Sequence, residues 1–245
     1  MTTDVTRTHH RGIITLTLDA QARRNALSAG LVDALAEELQ RCATDEEVRG
    51  VVVTHTGTTF CAGADLREPP RPAAFVGLLR QIVALPKPVV ARVAGHARAG
   101  GLGLIGACDI AVAGPAATFA FTEVRLGLAP AVISLPLLPR MEPRAAARYC
   151  LTGERFGPEE AARAGLVTEW AADIDKALAP VLDGLRGSSP QGLAATKKLV
   201  TAKVLDAFDQ QAEALAALSA RLFATEEAQE GMASFLERRD PAWAL

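Results

Sequence analysis

A chain of 245 residues can bury a sizeable core as one domain. Apolar residues make up 49% and charged residues 22%, ordinary for a globular protein, and a net charge of −2 gives no polybasic surface for nucleic acid or anionic membrane. No run nears the ~18 apolar residues that span a bilayer, and Met1-Thr-Thr-Asp-Val-Thr-Arg7 lacks the apolar centre of a secretory signal.

Cys42, Cys61, Cys108 and Cys150 stand far apart without a CxxC pair, as free thiols of a reducing compartment do. No clustered Cys and His suggest zinc, so no metal is expected. His9 and His10 fall in an expected frayed start, and His55 follows an apolar strand; each is expected to be structural or solvated. The chain is expected to be cytoplasmic.

Gly12–Leu18 alternates apolar and Thr residues, the pattern of a half-buried strand. Ser28 is placed to cap a helix whose stripe is Leu31, Leu35, Leu39 and Cys42. Val51–Thr54 is a continuous apolar strand buried on both faces. Pro69, Pro70 and Pro72 mark a loop, and a second helix covers about 73–84, ending at Pro86-Lys-Pro88. A strand over 88–94, a glycine loop, a short helix to Ala107 and a strand over 109–113 follow. Strands alternating with helices predict an α/β arrangement with a largely parallel sheet.

From Glu142 onward the pattern is nearly all helical, with helices expected at 143–151, 158–164, 174–186, 190–203, 206–223 and 226–238. Gly187-Ser-Ser-Pro190 is the best boundary signal there. It divides an α/β core over 1–187 from a helical region over 188–245. Leu215, Leu218 and Leu222 form a narrow stripe that suits either the chain's own core or a subunit interface.

The chemistry is expected at two glycine-bearing turns and one acid. Ala99-Gly-Gly-Leu-Gly-Leu104 and Phe60-Cys-Ala-Gly-Ala-Asp65 permit close approach of backbone amides to a ligand, and Glu123 is a carboxylate able to move a proton there. Gly101-Leu-Gly103-Leu-Ile-Gly106 also matches the dinucleotide-binding fingerprint. That mechanism needs a strand running straight into the first glycine and a full helix after the third. Here strand 88–94 ends too early, and the next strand leaves no room for a crossover helix.

The ordered set Phe60-Cys-Ala-Gly-Ala-Asp-Leu66, Pro86-Lys-Pro-Val-Val90, Gly95-His-Ala97, the glycine loop with Cys108-Asp-Ile110, Phe121–Leu128, Leu151–Phe156 and Ala164–Val167 resembles the enoyl-CoA hydratase/isomerase (crotonase) family. The resemblance runs from Asn25-Ala-Leu27 to Pro190 and the helices beyond. It implies a spiral of ββα units with a helical C-terminal region, assembled as homotrimers or dimers of trimers. It further implies an acyl-CoA thioester substrate and neither metal nor redox cofactor. By position, the backbone N–H groups of Ala64 and Gly100 would hold the thioester oxygen as it gains enolate charge. Losing one such donor typically costs about 2.7–4 kcal/mol of transition-state stabilisation. Glu123 would be the acid/base, its pKa raised by burial.

Arg23, Arg24 and Arg67 would meet the CoA phosphates, with a solvated turn the alternative for the first two, and the Ala62 carbonyl would accept from the adenine amino group. Arg98 or Arg125 would pair with a distal substrate carboxylate, a structural ion pair being the equal alternative. The family's typical hydratases carry two glutamates. The earlier one falls on Gly103, which has no side chain, and Ala99 replaces the loop's first glycine. Three activities stay open: water addition or removal at a 2-enoyl-CoA, Δ3,Δ2-enoyl-CoA isomerisation by one glutamate, and acyl-CoA binding with little turnover. Glu123–Ser134 more closely resembles hydratases of the methylglutaconyl-CoA type, although Ser134-Leu-Pro-Leu-Leu departs from them. The acyl pocket is expected to depend on residues 68–84 and 131–141.

Overall fold

The computed structural model describes residues 4–245. Its main sheet has six strands in the order β1-β2-β3-β5-β7-β9: β1 (Val5–His10), β2 (Ile13–Leu18), β3 (Gly50–His55), β5 (Val89–Val93), β7 (Ile110–Ala113) and β9 (Glu169–Trp170). Only β1 with β2 is antiparallel; the other neighbours run parallel. A second sheet, in the order β4-β6-β8, joins β4 (Thr59–Cys61), β6 (His96–Arg98) and β8 (Phe119–Ala120), all parallel. Each pass from the large sheet to the small one and through a helix makes a ββα turn: β3-β4-α2, then β5-β6-α3, with α2 at Pro72–Ala84 and α3 at Gly100–Ala107.

Local chemistry explains the elements that the sequence signals. Every residue of β3 is buried, as its uninterrupted apolar run requires. In α1 (Ala29–Thr44) the Ser28 hydroxyl accepts from the Leu31 N–H at 3.2 Å, and Leu31, Leu35, Leu39 and Cys42 form the buried face. The α/β class and the helical C-terminal region agree with expectation. After β7 and β8 come α4 (Ala131–Leu137), α5 (Pro143–Thr152), α6 (Pro158–Arg163), α7 (Ile174–Gly187), α8 (Pro190–Phe223) and α9 (Glu226–Glu237).

Five local expectations need correction. His9 and His10 are not frayed: both belong to β1, paired with Ile14 and Ile13. Only Val5 of that strand is buried, so no alternation announces it. The helices expected at 190–203 and 206–223 are one, because no Gly or Pro occurs between 193 and 223 and the buried face runs on through Val204 and Phe208. The region beyond Glu142 also contains β9, whose two exposed residues complete the sheet edge beside β7. Finally, β6 fills the gap between β5 and the glycine loop, so a strand does feed the first glycine. The expected lack of room for a crossover helix is corrected too, because α3 itself links the parallel strands β5 and β7. The fingerprint still fails, since α3 contains all three of its glycines and no full helix follows the third.

One large core joins the strands to α1, α2, α3 and α4, and Val204 and Phe208 of α8 belong to it. Leu215 packs against this core while only partly buried. A smaller cluster on the sheet's other face is closed by Ile174, Leu178 and Leu185 of α7. His55 is a buried structural residue whose Nε2 accepts from the Ala94 N–H at 3.2 Å. Among the described residues no helix is long and apolar enough to cross a membrane.

Candidate active site

Two turns meet because glycine removes the atoms that would separate them. A Cβ on Gly101 would lie 2.8 Å from both the Cβ and the carbonyl oxygen of Cys61, so no other residue fits there without backbone movement. The β4 turn and the α3 N-terminus are thereby pressed together. Leu27 forms a parallel bridge with Ala64: the Leu27 N–H donates to the Gly63 carbonyl at 2.8 Å, and the Asp65 N–H donates to the Leu27 carbonyl at 2.9 Å. This pattern leaves the Ala64 N–H on the opposite edge of the segment. Gly100 opens α3, where the first N–H groups have no intrahelical acceptor. Ala64 and Gly100 both line one cavity of about 900 Å³.

The loop's departure from glycine carries strain. Ala99 stands at φ 46° and ψ −116°, a region that residues with a Cβ avoid. Such strain costs of order 1–3 kcal/mol. Replacing Ala99 by Gly should therefore raise stability by about 1 kcal/mol, after about 0.4–1 kcal/mol is subtracted for the freer unfolded chain. Urea unfolding measures the gain, and a loss would show that the strain at Ala99 is smaller than the cost of a freer unfolded chain.

Glu123 begins a 3-10 turn, Glu123–Leu126, directly after β8 and is buried. Gly127, at φ 68°, ends the turn, and the Leu128 N–H donates to the Glu123 carbonyl at 2.9 Å. Helix α9 supports it from behind: a Cβ on Gly231 would lie 2.5 Å from the Leu126 carbonyl carbon, so the two backbones touch. On another side Phe156 stacks on Tyr149, with ring centroids 3.9 Å apart, and lies 6.3 Å from Phe121.

Among the described residues, Glu123 Oε2 is buried without a hydrogen-bond partner. Burial pushes its pKa up to about 7, against a smaller opposing effect of the residue's own backbone. An unpartnered carboxyl oxygen, poised to titrate near neutrality and lining the same cavity as Ala64 and Gly100, suits proton transfer.

The other expected positions, Ala62, Arg23, Arg24, Arg67, Arg98 and Arg125, also line this cavity. Their partners differ. Arg23 pairs with Asp4 at 2.6 Å and lies 3.9 Å from Asp65. Arg24 and Asn25 both adopt left-handed backbone (φ 52° and 53°), held by the buried Asn25 side chain. Asn25 Oδ1 accepts from the Ala20 N–H at 2.8 Å, and Nδ2 donates to the Thr59 carbonyl at 2.8 Å. Arg98 donates to the carbonyls of Ala97 and Thr118 and to the Thr118 hydroxyl, at 2.6–2.8 Å, so backbone occupies much of its guanidinium. Among the described residues, Arg125 donates only to the Thr152 carbonyl, at 3.3 Å.

Sequence reasoning missed the C-terminal contribution. Ser219, Phe223, Phe235 and Arg239 line the cavity, as do His96 and Arg155. The signal available for α9 is Gly231 within an otherwise regular helical pattern. The expected pocket segments contribute Pro70, Phe75 and the first turn of α4.

The pattern of the enoyl-CoA hydratase/isomerase family matches residues 8–244. The chain belongs to that family. An enoyl-CoA hydratase from Mycobacterium avium is 49% identical, with a TM-score of 0.93 and complete coverage of both chains. The 2,3-dehydroadipyl-CoA hydratase of Escherichia coli (strain K12) is 33% identical over 94% of each chain. The 1,2-epoxyphenylacetyl-CoA isomerase of the same organism is 30% identical over 94% of each chain. As a member of the family, the chain is an acyl-CoA enzyme of the enoyl-CoA hydratase type.

Proposed function

We propose that the chain adds water to, or removes it from, a 2-enoyl-CoA with Glu123 as its single acid/base. The observation carrying this reading is that Ala64, Gly100 and Glu123 line one cavity. The thioester oxygen would accept from the Ala64 and Gly100 N–H groups. The Glu123 carboxylate takes a proton from water as the hydroxyl oxygen bonds to C3, and electron density moves through C2 onto the thioester oxygen. The enolate then collapses and C2 takes the proton from Glu123. One acid can therefore serve both halves of the addition, and elimination runs through the same steps in reverse.

Arg24, Arg67 and Ala62 are proposed to meet the CoA nucleotide. Arg23 joins them less freely, because Asp4 and Asp65 already engage it. Arg125 has more unused hydrogen-bonding capacity than Arg98 for a distal substrate carboxylate, as substrates of the methylglutaconyl-CoA type carry. Homotrimers or dimers of trimers in the cytoplasm are proposed from the family; the exposed Phe235 and Leu236 beside the cavity support assembly.

Double-bond isomerisation is the second reading. It is favoured by Gly103, which supplies no second carboxylate, and by the likeness to an isomerase. A panel of straight, branched and dicarboxylic enoyl-CoAs, scored for both reactions, separates the readings. Hydration of at least one 2-enoyl-CoA is expected. Isomerisation alone would favour the second reading, and tight thioester binding without turnover would overturn both.

A further inference from the structure

The place where a second acid would stand is filled from the opposite helix. A Cβ built on Gly103 of α3 would lie 2.6 Å from Ile133 Cγ2 and 3.1 Å from Ile133 Cβ. One turn further along the same two helices the arrangement repeats, with a Cβ on Gly106 falling 2.8 Å from Leu137 Cγ. Two glycines three apart on α3 thus receive two branched side chains four apart on α4. The helices interlock, and any side chain at 103 would lift Ile133 out of its seat. Ile133 is buried and lines the cavity together with Glu123, Ala131 and Val132.

We propose that Ile133 is a specificity-determining residue of this site: seated on Gly103, it replaces a second acid with a hydrocarbon wall and limits the acyl group facing α4. This rests on the reading of Glu123 as the acid/base. Where a second carboxylate would grip the attacking water, the cavity offers aliphatic surface, so water is held from the Glu123 side alone. The wall also excludes bulk at the acyl carbon that faces it, C3, and it suits small or apolar acyl groups rather than polar ones there.

The test uses Gly103→Glu, Ile133→Gly, their combination and, separately, Ile133→Ala. Crotonyl-CoA hydration, urea midpoints and thioester binding by calorimetry are measured on each folded protein. Gly103→Glu alone is expected to lower the urea midpoint without raising hydration. The double variant should recover part of that midpoint and hydrate crotonyl-CoA about 100-fold faster than Ile133→Gly, the usual worth of a positioned acid or base.

A Gly103→Glu protein as stable as the parent, or one gaining as much hydration unaided as the double variant, overturns the proposal. So does a double variant that folds and binds thioester but hydrates no faster than Ile133→Gly. If the double variant does not fold, Ile133→Ala decides. Its kcat/KM for a 3-branched enoyl-CoA relative to crotonyl-CoA should rise about 10-fold, and an unchanged ratio overturns the assignment. Adding Glu123→Gln separates the two readings. Activity of the Ile133→Ala protein that survives this change contradicts the role of Glu123 while leaving that of Ile133 in place.

Discussion

Glu123→Gln is expected to abolish turnover and, at pH 8, to make the protein more stable than its parent. The activity loss should be at least about 100-fold in kcat, since a positioned acid or base contributes roughly 10²–10⁴. The stability gain follows from the raised pKa. Ionising Glu123 in the fold is disfavoured because Oε2 is buried and unpartnered. A carboxylate that titrates near 4.5 when unfolded and at about 7 when folded lowers stability as pH rises between those values, because the folded state holds the proton longer. Below pH 4 the effect is absent. Above pH 7 it is complete, at about 3 kcal/mol by the conversion of 1.36 kcal/mol per unit. Gln carries no charge at any pH, so the variant's stability should lack this fall. Urea unfolding of both proteins at pH 5 and pH 8 measures the difference, and kcat/KM of the parent should rise through about pH 7 on the limb where Glu123 must be ionised. Equal stability at both pH values would mean that Glu123 is not held in a dry place.

Why Glu123 stood out and its surroundings did not is a matter of range. Glu123, the two glycine turns and the buried strand β3 announce themselves through residue type and spacing over a few positions. The Ser28 cap and the α1 stripe do so as well. By contrast, β1 exposes five of its six residues and gives no alternation, so its pairing with β2 is invisible until the sheet exists. Gly103 reads as a missing carboxylate only through the family resemblance, and its close packing against Ile133, thirty positions later, comes from α3 lying on α4. The support that α9 gives the Glu123 turn is likewise a tertiary contact between Gly231 and Leu126. The join of 190–203 to 206–223 lay within reach of propensity alone, since nothing in that stretch breaks a helix.

The second large effect is expected far from the acid. Lys197 of α8 is buried, and its Nζ meets Asp109 Oδ2 at 2.8 Å while donating to the carbonyls of Ile82 at 2.8 Å and Lys87 at 3.0 Å. Those acceptors lie near the end of α2, in the turn before β5, and between α3 and β7. One ammonium therefore ties α8 to the segments that deliver the glycine loop. Burial lowers the Lys197 pKa despite the Asp109 charge beside it. Such a group is worth little as an attraction and much as a partner, because removing it strands the other charge. Lys197→Met should cost about 3–5 kcal/mol, read as a lower urea midpoint with an unchanged slope. Neutralising the survivor should return part of that loss. Asn in place of Asp109 removes the stranded charge and still offers an oxygen to the Val89 N–H, which donates to Asp109 Oδ2 at 2.7 Å. The double variant should therefore be more stable than Lys197→Met alone, with the two changes clearly non-additive. A Lys197→Met cost below about 1 kcal/mol, in the range of exposed pairs, would show that water reaches this bridge and that α8 is held by Val204 and Phe208 instead.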